Sequence, residues 1–170
     1  DAVRVSILMM APQGLDIYFQ EERLEQGRNF MNKLWNCSRF IMMNIDDNTN
    51  LDISKLNIDT LDETDQWILD KLNTIIQDVE NSFHDYKMND AIKKIYNFVW
   101  GDYCDWYIEF SKSKIYGISD TDREQVLSIA VYVLKNILKL LHPFAPFITE
   151  EIWSLLNNDE ALLATSTYPN

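Results

Sequence analysis

Glycine and proline are scarce, with four of each in 170 residues. Sandwiches and small barrels need frequent turns, so this poverty favours long helices. Cysteine is limited to Cys37 and Cys104, each inside a helical apolar pattern. That argues against a disulfide scaffold and fits a reducing, cytoplasmic setting. The two histidines, His84 and His142, share no C-x2-C or H-x3-H spacing with them, and no Glu-x-x-His pair occurs. No metal site is expected. His84 reads as a loop residue and His142 as a helix-terminal residue bonding nearby carbonyls. No phosphate loop, dinucleotide motif, local Ser–His–Asp pattern or local Cys–His pattern is present, so no catalytic residue and no cofactor site is assigned. No signal peptide and no apolar run of about 18 residues occurs, so no membrane span is expected. Bases are few, 15 against 27 acids, for a formal charge of -12. Non-specific binding to DNA or RNA is disfavoured, because that affinity comes from neutralised phosphates.

What is present is apolar mass. Hydrophobic residues make up 46%, with five Trp, eight Tyr and eight Phe. A single all-α domain with a real core follows, and wholesale disorder does not. The chain opens Asp1-Ala2-Val3-Arg4 without Met, inside an amphipathic pattern, and reads as a piece of a longer polypeptide.

Periodicity predicts five to six helices. A short one covers 1–11, with Val3, Ile7 and Met10 on one face and Pro12 at its end. Residues 15–19 read as an extended piece lying across helices. A second helix spans 21–44, with Glu21, Glu22 and Glu25 near the positive end of its dipole. Residues 46–60 read as an acidic, mobile loop. A third helix runs over 62–83, with Leu61 as a hydrophobic staple. A fourth runs over 90–116, with Asn89 as N-cap and Gly117 closing it. A fifth starts at a Thr121/Glu124 capping box and ends at His142-Pro143, and a sixth covers 146–156. Residues 157–170 read as a truncated or disordered tail.

The second helix is the odd one. Gly27 to Asn44 contains Arg28, Lys33 and Arg39 and no acid. Phe30, Leu34, Cys37 and Ile41 recur at the spacing of a buried face, while Asn29, Asn32, Asn36 and Arg39 recur on another. Asparagine is a mediocre helix former, so three at this spacing are not there for propensity. Cations, amides and the aromatics Trp35 and Phe40 are what single-stranded RNA recognition uses. Each has a structural alternative: core aromatics, and amides that join helices through Asp102 or Asp105. Asp102, Asp105 and Glu109 form a second polar face, read either as a carboxylate cluster or as partners for Lys or Arg of another helix.

Arg28-Asn29-Phe30 and Asn32-Lys33-Leu34-Trp35-Asn36-Cys37-Ser38-Arg39-Phe40 resemble the start of the anticodon-binding domain of class I aminoacyl-tRNA synthetases, of the valyl group in particular. Ala11-Pro12-Gln13-Gly14-Leu15-Asp16-Ile17-Tyr18-Phe19 is similar to the APxGxDIxF stretch of that group. Phe98-Val99-Trp100 with Tyr103-Cys104-Asp105-Trp106-Tyr107-Ile108-Glu109, and Leu140 to Trp153, resemble two further signatures. The last is shared with the isoleucyl and leucyl enzymes. The resemblance implies a connector over 1–20 that follows a catalytic domain, a helical bundle over 21–157, and a tail over 158–170. It implies a partner, the anticodon stem-loop of tRNA-Val, and a parent that activates valine with ATP. The chain alone is expected to be inactive and monomeric. By position, Lys33, Arg39 and Arg28 would contact RNA, Phe40 would stack on an anticodon base, and Asn36 is the next candidate. Asn29 and Asn32 are then expected as internal glue, and part of the acidic face of Asp102, Asp105 and Glu109 is expected to pair with the second helix. An isoleucyl or leucyl anticodon domain, and a helical interaction bundle with no RNA role, are the alternatives.

Overall fold

The computed structural model describes residues 1–11, 14, 19, 21–46, 49, 51, 53, 61–157 and 161–169. Most of the extended piece 15–19 and of the acidic loop 46–60 lies outside these residues. Among them the chain forms six helical rods and no strand. These are α1 (Ala2–Met10), α2 (Glu22–Met43), α3 (Glu63–His84), a compound rod, α6 (Asp120–Leu141) and α7 (Pro146–Asn157). The all-α bundle expected from the periodicity is what the structure shows.

The compound rod differs from the expected single α-helix over 90–116. It comprises α4 (Met88–Asn97), a π-helical segment (Phe98–Tyr107) and α5 (Ile108–Ile115). The Ile108 N–H bonds to the Tyr103 carbonyl, five residues back. Wider turns of this kind are rare and re-aim side chains, and they cluster at functional sites. The apolar pattern survives them, with Phe98, Val99, Tyr103, Cys104 and Tyr107 all buried.

α6 is the central element. Twelve of its residues are buried, Leu127, Leu134, Ile137 and Leu141 among them, so its neighbours cover most of its surface. Burial at this density supplies the dominant stabilisation, about 1.5–3 kcal/mol per large aliphatic side chain. Its N-cap is Ser119, which accepts a bond from the Asp122 N–H at 3.3 Å, and not the expected Thr121. Asn89 is likewise not a cap. It lies inside the first turn of α4, buried, and its amide donates to the carbonyls of Leu8 (2.6 Å) and Met9 (2.9 Å) at the end of α1. It satisfies orphan carbonyls of one helix from the start of another.

α1 packs into the bundle. Val5 is fully buried. At its crossing with α2, a Cβ on Gly27 would stand 2.2 Å from Ser6 Oγ and 2.3 Å from the Ala2 carbonyl. Only glycine permits this approach. Asp1 Oδ2 accepts the Ile148 N–H at 2.6 Å, and Arg4 Nε donates to the Phe144 carbonyl at 3.3 Å, so α1 also holds the corner between α6 and α7.

The tail over 158–170, expected to be truncated or disordered, is a packed segment in its described part, 161–169. Leu163 is buried, and the Trp153 indole donates to the Ala161 carbonyl at 3.0 Å. The Glu150 carboxylate accepts the N–H groups of Leu163 (2.7 Å) and Ala164 (3.2 Å). Tyr168 lies 5.9 Å from the Phe83 ring. His142 bonds the Thr149 hydroxyl through Nδ1 at 2.8 Å and faces Glu150, so its partners are side chains and not the expected carbonyls.

Candidate nucleic-acid interface

α2 and the compound rod run parallel, side by side. Phe30 meets Tyr96, with ring centroids 4.9 Å apart, and Lys33 meets Trp100 and Asp105. Further along, the thiols of Cys37 and Cys104 face each other, both buried and free. The hydrogen bond from Cys104, reinforced by burial, pushes the Cys37 thiol well above its ordinary range. Phe40 then stands edge-on to Tyr116 at 6.4 Å, with the Lys112 ammonium 5.6 Å from its ring.

One further face of α2 is open to solvent. Arg28, Asn29, Asn32, Asn36 and Arg39 are all exposed. At about 100° and 1.5 Å per residue they share one stripe, with Arg28 and Arg39 about 16 Å apart along the axis. Asn29 and Asn32 are therefore not internal glue. None of the three amides has a hydrogen-bond partner among the described residues. Arg28 pairs with Glu25 one turn back at 3.4 Å, and Arg39 forms no ion pair among the described residues. The buried stripe is the expected one, with Phe30, Leu34 and Ile41 fully covered. Trp35 is half-buried against the core.

Lys33 and Phe40 occupy a different position from these. The Lys33 side chain is 23% exposed, its ammonium 4.0 Å from the centre of the Trp100 ring and paired with Asp105. Phe40 is half-buried between the two apolar clusters. The candidates thus divide: Arg28, Asn36 and Arg39 lie open on the stripe, while Lys33 and Phe40 form its border with the compound rod.

The acidic face is not a carboxylate cluster. Asp105 pairs with Lys33 on α2, Asp102 with Lys71 on α3 at 3.6 Å, and Glu109 with Lys112 one turn on at 2.7 Å. Part of that face does pair with α2, through Lys33. Among the described residues no group of three or more His, Cys, Asp or Glu is placed to hold a metal.

A buried carboxylate went unread in the sequence, where it hid in an acidic run. Asp65, 1% exposed, accepts from Tyr107 Oη (3.0 Å), Lys114 Nζ (3.2 Å) and Gln125 Nε2 (3.2 Å). It ties α3 to the π segment, α5 and α6. Burial would raise Asp62 beside it, but bonds from Lys114 and the Asp65 N–H outweigh burial and hold its carboxyl below the usual range. Burial would lower Lys114, and its bonds to Asp62 and Asp65 outweigh that and hold it above its usual range. Burial first, and then Asp65, push the Tyr107 phenol well up.

With this geometry in place, the comparisons with known proteins decide the family. The model of the anticodon-binding domain of tRNA ligase matches residues 65–170. The chain belongs to that family. This anticodon-binding domain is 40% identical over 169 residues to the valine–tRNA ligase of Enterococcus faecalis and 41% identical over 172 residues to that of Clostridium tetani. Each match covers 99% of this chain and 19% of the relative, so the chain spans about one fifth of the curated relatives it matches. Among solved structures, the ternary LeuRS-tRNA-LeuAMS complex of Agrobacterium radiobacter K84 agnB2 superposes with a TM-score of 0.72 at 22% identity, covering 99% of this chain and 19% of that one. That likeness concerns the fold. Among the described residues no helix is long and apolar enough to cross a membrane.

Proposed function

We propose that this domain docks the anticodon stem-loop of tRNA-Val, as part of a valine–tRNA ligase whose remaining polypeptide activates valine with ATP and charges the tRNA. The observation that carries this reading is the exposed α2 stripe. Three asparagine amides without partners among the described residues lie between two arginines, in a chain whose overall charge is -12. Exposed amides present donors and acceptors to base edges, and the arginines present forked donors to phosphates. Arg39 and Asn36 are the primary contacts, with Arg28 towards one end. Lys33 and Phe40 contribute from the border, where Phe40 offers a ring edge to a base. No residue of this chain is assigned a catalytic or cofactor role. Its other partner is the catalytic domain of the same polypeptide, and it works as a monomer in the cytoplasm.

The paired state of Lys33 and the half-burial of Phe40 favour a second reading, a bundle that only holds neighbouring protein. Titration of the anticodon stem-loops of tRNA-Val and tRNA-Ile across a salt series separates the two. The RNA reading requires salt-dependent binding that prefers tRNA-Val, with a slope of about 0.7 per single-strand phosphate contacted. Arg39→Ala should weaken it without changing the far-UV spectrum. Equal binding of both loops overturns the valyl assignment, and no binding overturns the RNA role of this chain.

A further inference from the structure

The π segment carries a glycine that nothing in the fold requires. A Cβ at Gly101 would find no atom within 4 Å beyond its chain neighbours and its own helix backbone, and its φ is not in the left-handed region. Helix-interior glycine is disfavoured relative to alanine, so neither packing nor conformation explains it. The neighbours are informative. Trp106, one wide turn on, is 57% exposed, and its ring lies 5.6 Å from Phe110, itself 53% exposed. Trp100 beside it is already engaged, stacked on Tyr96 at 5.5 Å and carrying Lys33 on its ring. Trp106 is thus the open indole of this face. The acids of this stretch, Asp102, Asp105 and Glu109, are each paired with a lysine, so the surface is apolar and locally neutralised. That suits a base face better than a phosphate. The patch also continues from the α2 stripe, since Lys33 bridges α2 to Trp100 and Asp105.

We propose that Gly101 and Trp106 form a second nucleotide subsite, in which an unpaired base of the bound RNA loop stacks on the Trp106 indole and lies over the backbone at Gly101. This assignment rests on the RNA-binding reading above. Stacking on an aromatic is tolerant of base identity, so the subsite adds affinity more than sequence preference.

The test titrates the tRNA-Val anticodon stem-loop into the 170-residue chain and its variants Trp106→Ala, Trp106→Phe, Gly101→Ala and Arg39→Ala. Trp106→Ala is expected to weaken binding about tenfold, and Trp106→Phe to retain most of it. Gly101→Ala is expected to weaken binding while its thermal midpoint stays equal or rises, a combination that a merely structural role does not produce. RNA should also quench tryptophan emission in the wild type and much less in Trp106→Phe. If Trp106→Ala and Gly101→Ala bind as tightly as wild type while Arg39→Ala loses affinity, the subsite is refuted, the α2 reading stands, and the face belongs to a protein partner. If the wild type shows no salt-dependent binding, the α2 reading fails and this assignment falls with it.

Discussion

Replacing Asp65 with alanine tests the internal architecture most sharply. The substitution removes an acceptor that serves three donors at 3.0 to 3.2 Å. They do not lose equally. Tyr107 is fully buried, so its hydroxyl is left unsatisfied, at about 1–3 kcal/mol. Gln125 is half-buried and reaches water for part of its loss. Lys114 keeps Asp62 and loses little. Adding the small void left by the carboxylate, the expected destabilisation is about 3 kcal/mol, the lower end of the range for breaking a buried charged pair. For a chain of this size that is a fall of roughly 6–12 °C in thermal midpoint. Urea unfolding followed by circular dichroism gives the value, and a cycle with Tyr107→Phe isolates the shared bond. Because both changes remove the same hydrogen bond, the double variant should fall short of the sum by about 1–2 kcal/mol. A cost of Asp65→Ala below about 1 kcal/mol, or strict additivity with Tyr107→Phe, would refute the picture of a buried junction.

Other expectations follow from the same structure. Gly27→Ala gains helix propensity but drives a methyl into Ser6 and the Ala2 carbonyl, so it should cost about 1–3 kcal/mol net and expose the α1–α2 seam to limited proteolysis. Asp62 has a depressed carboxyl in the folded chain, so its contribution is present above the unfolded value of about 3.9 and is lost as pH falls through the lower folded value. The urea midpoint should drop below about pH 4, and Lys114→Met should flatten that acid limb. Lys114 behaves in the opposite sense, its contribution full below about 10.4 and lost as pH rises through its raised folded value. Glu150→Gln keeps one acceptor for the Leu163 and Ala164 amides, whereas Glu150→Ala keeps none, so hydrogen exchange should quicken at one of those amides in the glutamine variant and at both in the alanine variant.

The rods of this fold were legible because their apolar residues repeat at 3.6 over long spans, as in α2 and α6. The π segment was not, although Phe98, Tyr103 and Tyr107, spaced five and four residues apart, share a face in the wider turn and not in an α-helix. Caps failed where tertiary demand won. Asn89 had the right chemistry for a cap, but its amide serves the end of α1. Asp65 looked like one more surface acid because its partners lie 42 to 60 residues away in sequence. At the candidate interface, the exposure of Arg28, Asn36 and Arg39 follows directly from their angle on α2. The engagement of Lys33 with Asp105 spans 72 residues, and no local pattern encodes it. The internal placement of Asn29 and Asn32 came with the family resemblance, which divided the asparagine face and left Asn36 to the RNA. Their angular positions, shared with Arg39, already placed them outside.

The contacts of α1 also set a timetable. Its seam with α2 can close once the first 43 residues exist. The Asn89 amide arrives next, to take up the carbonyls of Leu8 and Met9. The bonds from Asp1 to Ile148 and from Arg4 to Phe144 come last, across 147 and 140 residues. At about 5–20 residues per second on a ribosome, the nascent helix waits roughly 7–30 s between its own synthesis and its final anchor. Over that interval it is held by α2 and then also by Asn89 of α4, and completion of the α6–α7 corner is the event that locks it.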